Sequence, residues 1–190
     1  MTSVLRPLLA ELRPTLVDYE TVEIAADANR EALLAWAYGN GFSHGETDES
    51  LMDGLITAVS QGQGEPERAA RLMQMGFRWK PDANLLWHLT VVQKNMPLAL
   101  ERRTLRWVVA TGIRFPGNEG DLILWADGST NRNARVHKLL RSHAMAIIEN
   151  DSGVKTTINA EQVLANRTNG RELQRAIPLH NLALAPEISS

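Results

Sequence analysis

Apolar residues recur at spacings of three and four through "REALLAWAYGNGF", "RAARLMQMGF" and "RTLRWVVATGI". That spacing lines one face of an α-helix. Each stretch ends on a Gly followed by an apolar residue: Gly41-Phe42, Gly76-Phe77 and Gly112-Ile113, 35 and 36 residues apart. A Gly just past the last apolar position is a helix stop, because it enters the left-handed conformation cheaply. Polar links follow, "SHGETDES", "RWKPDAN" and "RFPGNEGD", with turn residues Gly45, Pro81, Pro116 and Gly117. Further apolar segments then open, "LMDGLITAV", "LLWHLTVV" and "LILWADG", each closed by a second polar break. "RNARVHKLLRSHAMAII" reads as the second helix of the last full unit. The unit is helix, turn, helix, Gly stop and exposed link, with a period of about 32–38 residues. This pattern predicts a mainly all-α chain of stacked helix-turn-helix repeats.

One such hairpin cannot bury its apolar side alone, so neighbours must cover it. "NLLWHLTVV" resembles the first-helix start of an ankyrin repeat, with Trp87-His88-Leu89 where Leu-His-Leu would sit. "RAARLMQMGF" and "RTLRWVVATGI" resemble the end of its second helix. The resemblance covers roughly residues 20–148. It implies an ankyrin-like array whose projecting links bind another protein. Another helical-hairpin fold of the same period stays open.

The repeat fades after Glu149. "ENDSG" is a turn cluster, and "VKTTI" alternates β-branched residues as a short strand would. "NAEQVLANRTNG" opens on Asn159 as a helix cap, and "RELQRAI" adds a helical turn before Pro178. The expected domains are a repeat domain over 1–148 and a C-terminal capping segment over 149–190.

Composition adds limits. With no Cys in 190 residues, disulfides, thiolate metal sites and Cys nucleophiles are excluded, and a cytoplasmic setting is the simpler expectation. The first twenty residues lack the apolar core of a signal peptide. No apolar run approaches the roughly 20 residues that span a bilayer, so no membrane partner is expected. The net charge of −2 hides a split: residues 1–67 carry −9, residues 68–146 carry +8, and residues 147–190 carry −1. Such a split speaks to partners rather than to fold.

His88 has the residue type of a general base, since an imidazole titrates near neutrality. A base needs a nucleophile and an orienting acid, and Lys80, Asp82 and Lys94 lie in or near the flanking links instead. The resemblance gives His88 a scaffold role, hydrogen-bonding between neighbouring turns. His137 and His143 lie six apart, which is not a same-face ligand pair on a helix. No metal and no cofactor are expected: the chain has no His-Glu-x-x-His run, no phosphate loop and no dinucleotide fingerprint. No catalytic residue is assigned, and the chain is read as a non-enzyme.

Trp36, Trp87, Trp107 and Trp125 fall on apolar helical positions and read as core. Trp79 lies between Arg78 and Lys80 in a polar link, and Phe115 follows Arg114 at the same offset one unit later. Two base–aromatic pairs on one edge of a stack would anchor an acidic, partly apolar protein partner. The expected contact set is Arg78, Trp79, Lys80, Arg114, Phe115, Asn118 and Glu119, with His44 and Glu46 from the first link. An alternative is nucleic-acid binding through Arg102, Arg103, Arg106, Arg132, Arg135, Lys138 and Arg141. Another is an inhibitor, of the phage or mobile-element kind, whose acidic first third imitates a nucleic-acid backbone. A homodimer stays open.

Overall fold

The structure, a computed structural model, describes residues 13–40, 47–76 and 79–168, and the backbone of Arg171–Glu172. The described chain divides into two compact units, one over residues 13–104 and one from residue 105 onward. The expected boundary at 148/149 falls inside a strand.

The first unit is helical: α1 (Tyr19–Asp27), α2 (Arg30–Gly39), α3 (Asp48–Gln61), α4 (Pro66–Gly76) and α5 (Ala83–Thr111), whose last turns belong to the second unit. Thr47 starts α3 with a capping box: its hydroxyl accepts the Ser50 N–H at 3.2 Å, and Ser50 Oγ accepts the Thr47 N–H at 3.1 Å. Leu51, Met52, Leu55, Ile56, Ala58 and Val59 are all buried, so α3 is covered on more than one side. Packing against α4 is close at the α3 C-terminus. A Cβ on Gly62 would lie 2.9 Å from both the Ala58 carbonyl and the Ala69 nitrogen, and only glycine fits there.

The segment from "LLWHLTVV" to "RTLRWVVAT" was expected to be two helices with a break at "QKNMPLALE". It is one helix of 29 residues. Leu85, His88, Leu89, Val92, Met96, Ala99, Thr104 and Trp107 are buried, a single row at spacings of mostly three and four. The row passes Pro97 without losing phase. Pro97 removes the hydrogen bond to the Gln93 carbonyl, but both residues are exposed, so water replaces the missing donor. Burying each aliphatic side chain on this row contributes about 1.5–3 kcal/mol, more in sum than one interior proline costs.

The second unit overturns the all-α expectation. "LILWADG" and "RNARVHKLLRSHAMAII" are strands: β1 (Leu122–Asp127), β2 (Thr130–Leu140) and β3 (Met145–Glu149), followed by β4 (Lys155–Asn159), β5 (Val163–Asn166) and β6 (Arg171–Glu172). They form one antiparallel sheet in the order β4-β3-β2-β1-β5-β6. This is a substantial sheet rather than a short strand in a cap. Burial runs at period two, on Ile123 and Trp125, Ala134 and Val136, Ala146 and Ile148. A register shift at Val136/Lys138 leaves His137 as the extra residue and puts Leu139 back on the core face. Gly128-Ser129 is the two-residue loop of the β1–β2 hairpin, with Asp127 paired to Thr130. Asn159 does cap a turn as expected, but a single 3-10 turn (Ala160–Gln162) rather than a helix. Of "RELQRAI", Arg171–Glu172 is strand, and the remainder lies outside the described residues.

The sheet is rolled. β4 and β5 stand four strand spacings apart, roughly 19 Å in a flat sheet. Only Ala160–Gln162 joins them, and four residues' advance spans at most about 14 Å. Consistent with closure, Ile158 of β4 and Val163 of β5 share one apolar cluster with Ile123 and Val136.

Asp82 is the polar anchor of the helical unit. Its Oδ1 accepts the Leu85 N–H at 2.8 Å, capping α5, and the Trp36 indole N–H at 2.9 Å. Asp82→Ala should lower unfolding stability by about 1–2 kcal/mol, and Asp82→Asn, which keeps an acceptor, by less. Urea denaturation followed by tryptophan fluorescence measures both. An unchanged Asp82→Ala midpoint would show that the two hydrogen bonds contribute nothing.

Candidate functional site

The helical unit takes back one of its expected contact residues and exchanges the roles of two tryptophans. Trp79 is 3% exposed, and its ring lies 5.9 Å from that of Trp36 at 46°. It is core, not a partner anchor. Trp87, assigned to the core from its apolar surroundings, is 60% exposed. Position 87 points away from the row through Leu85, Leu89 and Val92, whereas Trp79 turns back onto the helices before it. Lys80 is exposed. Arg78, His44 and Glu46 lie outside the described residues.

His88 is buried, and its Nδ1 lies 3.2 Å from the Asn29 side-chain nitrogen. The amide donates, so Nδ1 accepts and the proton sits on Nε2. Asn29 begins α2, so this contact pins the α1–α2 junction to α5. That is a scaffold role, in keeping with the sequence reading. Burial pushes the His88 pKa below its ordinary value of 6.5, against a smaller upward pull from the Asp82 carboxylate.

The basic set separates by what each side chain already holds. Arg103 bonds Thr21 Oγ1 at 2.7 Å and pairs with Asp18 at 3.3 Å and with Glu20. Arg132 pairs with Asp127 at 3.0 Å, and Arg135 donates to the Gly120 carbonyl at 2.7 Å. Arg102, Arg106, Lys138 and Arg141 are exposed and make no ion pair among the described residues. The seven do not share one unit: Arg102 and Arg103 belong to the helical unit and the rest to the sheet unit.

In the sheet unit, a groove of about 580 Å³ gathers residues that the sequence had singled out separately. Val108, Val109, Ile113, Phe115 and Leu139 form its apolar wall, with Arg114 and Arg141 beside them. Gly112, with φ +66°, ends α5: its N–H bonds the Val108 carbonyl at 3.0 Å, and a side chain there would be strained. The floor is held by polar bonds. Asp121 Oδ2 accepts the Asn118 N–H at 2.9 Å and the Asn166 amide at 2.7 Å. Glu119 Oε1 accepts the Leu139 N–H at 3.0 Å. Glu119 therefore shapes the loop instead of offering a free carboxylate, and Asn118 contributes mainly backbone. Phe115 packs half-buried on the sheet core. Because Trp79 is buried in its own unit, the two expected base–aromatic pairs do not form one exposed edge. Val109, 83% exposed, and Leu139 were missed, since both had been read as core positions of helices.

A second cluster lies on the outer face of β2, β3 and β4. Lys155 Nζ is 2.9 Å from His137 Nε2, and Glu149 Oε2 is 3.6 Å from His137 Nδ1 and 3.8 Å from Lys155 Nζ. These are polar side chains, exposed or half-buried, with no hydroxyl or thiol nucleophile among them. Among the described residues, no three His, Cys, Asp or Glu side chains gather as a metal would require, and no helix is long and apolar enough to cross a membrane.

One catalytic-type pattern lies across the end of the first repeat unit. Gly41-Phe42-Ser43-His44-Gly45 has Gly-x-Ser-x-Gly spacing. A nucleophile elbow of that form needs a strand leading into it and a helix leading out. The pentapeptide lies outside the described residues, and the elements on either side are the helices α2 and α3.

No family model matches the chain, and no solved structure matches it. Over 145 residues it is 24% identical to the acetylcholinesterase of Myxine glutinosa, across 76% of this chain. The chain spans 40% of that protein's length. This is a partial likeness to an enzyme.

Lowered by burial, His88 couples stability to pH. The unfolded chain binds a proton near pH 6.5 that the folded chain resists. This contribution is complete above pH 6.5 and is lost as pH falls from there toward the folded pKa. The expected result is a falling denaturation midpoint across that window. His88→Gln, which keeps an acceptor but does not titrate, should flatten the slope; an identical slope in both proteins would exclude His88 as its source.

Proposed function

We propose that this chain is a non-enzymatic interaction module that binds an acidic, partly apolar segment of another protein. The observation that carries the reading is the groove: the guanidiniums of Arg114 and Arg141, which make no ion pair among the described residues, beside an apolar wall on which Val109 is exposed. Apolar groups supply the burial, and arginines select for carboxylates. A cytoplasmic setting belongs to the same proposal. The links between helical repeats no longer carry it, because the residues that meet come from the end of α5, the loop before β1 and β2. Nucleic-acid binding is weaker support for the same surface, since Arg103, Arg132 and Arg135 of the basic set are already engaged within the chain.

The test is affinity capture from the native host with wild-type chain, Val109→Glu and Arg114→Glu/Arg141→Glu. Both groove variants should lose a captured protein by about tenfold or more, while Lys80→Ala retains it. Equal capture by all four would remove the groove from the interface.

A second reading, ester hydrolysis at Ser43, rests on the pentapeptide and on the partial likeness to acetylcholinesterase. The helices α2 and α3 on either side weigh against it. A fluorophosphonate probe is expected to leave the chain unlabelled. Covalent labelling that disappears in Ser43→Ala would overturn the non-enzymatic reading.

A further inference from the structure

α5 carries a second row of side chains opposite its buried one. Trp87, Val91, Lys94, Leu98 and Arg102 recur at spacings of three and four, about half a turn from Leu85, Leu89, Val92 and Met96. Trp87 is 60% and Leu98 51% exposed, Val91 is half-buried, and Lys94 and Arg102 are exposed. A helix with apolar groups on both faces has only one of them satisfied by its own core.

We infer that this row is the contact surface for a second copy of the chain, packed antiparallel along α5. The row is self-complementary in one register. With a two-fold axis between positions 94 and 95, Trp87 faces Arg102 of the second copy, and Val91 faces its Leu98. Both pairs occur twice, as an isologous interface requires. A guanidinium over an indole is a favourable cation–π arrangement, and Val91 with Leu98 closes an apolar centre. Parallel packing would instead set Trp87 on Trp87 and Arg102 on Arg102, stacking like charges. The two Lys94 ammoniums meet near the axis, but their long stems carry the charges outward to water, and added salt screens the residual repulsion. The stretch from Trp87 to Arg102 is about 22 Å long, so the buried area falls below that of a standard stable interface. The dimer is therefore weak, concentration-dependent and strengthened by salt. This inference is independent of the groove.

With no cysteine in the chain, Lys94→Cys introduces a single thiol near the proposed axis, and Glu67→Cys on α4 is the control. Under diamide oxidation, Lys94→Cys should form disulfide-linked dimers at least about tenfold faster than Glu67→Cys. In sedimentation velocity, Trp87→Ala and Leu98→Glu should each weaken wild-type dimerisation by about tenfold or more, with circular dichroism confirming that both fold. Cross-linking of Lys94→Cys no faster than the control would overturn the proposal. So would a wild-type chain that stays monomeric to about 0.2 mM, or a dimer that both surface variants leave intact.

Discussion

The buried row on α5 is the constraint around which the helical unit is built. Leu85, Leu89, Val92, Met96 and Ala99 are each at most 3% exposed, and helices α1 to α4 contribute to the same apolar cluster. Polar ties flank the row and fix its partner. His88 meets Asn29, the Asn95 amide donates to the Ala25 carbonyl at 3.4 Å, and Arg103 bonds Thr21. Positions rise along α5 as they fall along α1, so the two helices run antiparallel. The ties are spaced seven and eight residues apart on α5, two turns each, and so lie along one side of the helix. Apolar burial supplies most of the free energy, while three directional bonds select the register.

The sheet unit solves a different problem. Apart from β2, its strands have six residues or fewer, and as a flat sheet they would leave their apolar face uncovered. The three-residue link from β4 to β5 forces the edges toward each other, and the interior then fills from both ends of the strand order. Two register shifts assist the bending, at Leu124/Trp125 on β1 and at Val136/Lys138 on β2. At the second shift, Val136 continues the β1 side of the ladder into the loop before β1, donating to the Asp121 carbonyl at 2.8 Å, and the Leu139 N–H beyond the extra residue meets that loop too. Gly120 donates to Val136, and Glu119 accepts from Leu139. The irregularity that curves the sheet is thus also what places Leu139 in the groove.

Helical periodicity was legible over "REALLAWAY" and "RAARLMQMG", which lie in α2 and α4, and at the end of α5 before Gly112. Asn159 was readable as the opening of a turn, whereas "RNARVHKLLRSHAMAII" reads as a helix and is two strands. Three other things were not legible. Pro97 and the polar run before it imitate a break, because sequence cannot show that Met96 and Ala99 keep the phase on the far side. "LILWADG" is too short for its period to decide between helix and strand, although Asp127-Gly128-Ser129 between alternating residues was a hairpin signal that the repeat reading absorbed. Trp79 and Trp87 exchanged roles, since polar neighbours in sequence say little about which way a link folds. Of the candidate site, Arg114, Phe115 and Arg141 could be named, but only the fold brings them to one groove.

The charge split shows why net charge along a sequence is a poor guide to a binding surface. The +8 segment runs through both compact units, so its charge belongs to neither unit alone. Several of its cations neutralise carboxylates of their own chain or cap carbonyls, and a guanidinium already held by Asp18 and Glu20 attracts a distant phosphate far less than a free one. What remains for a partner is the remainder after internal pairing. In the sheet unit that remainder includes Arg114 and Arg141, set beside Val109 and Leu139 rather than along a cationic track. A phosphate backbone gains from many evenly spaced cations. Two cations beside an apolar wall match a peptide that offers carboxylates and an aliphatic side chain together, and that geometry weighs more than the segment's total charge.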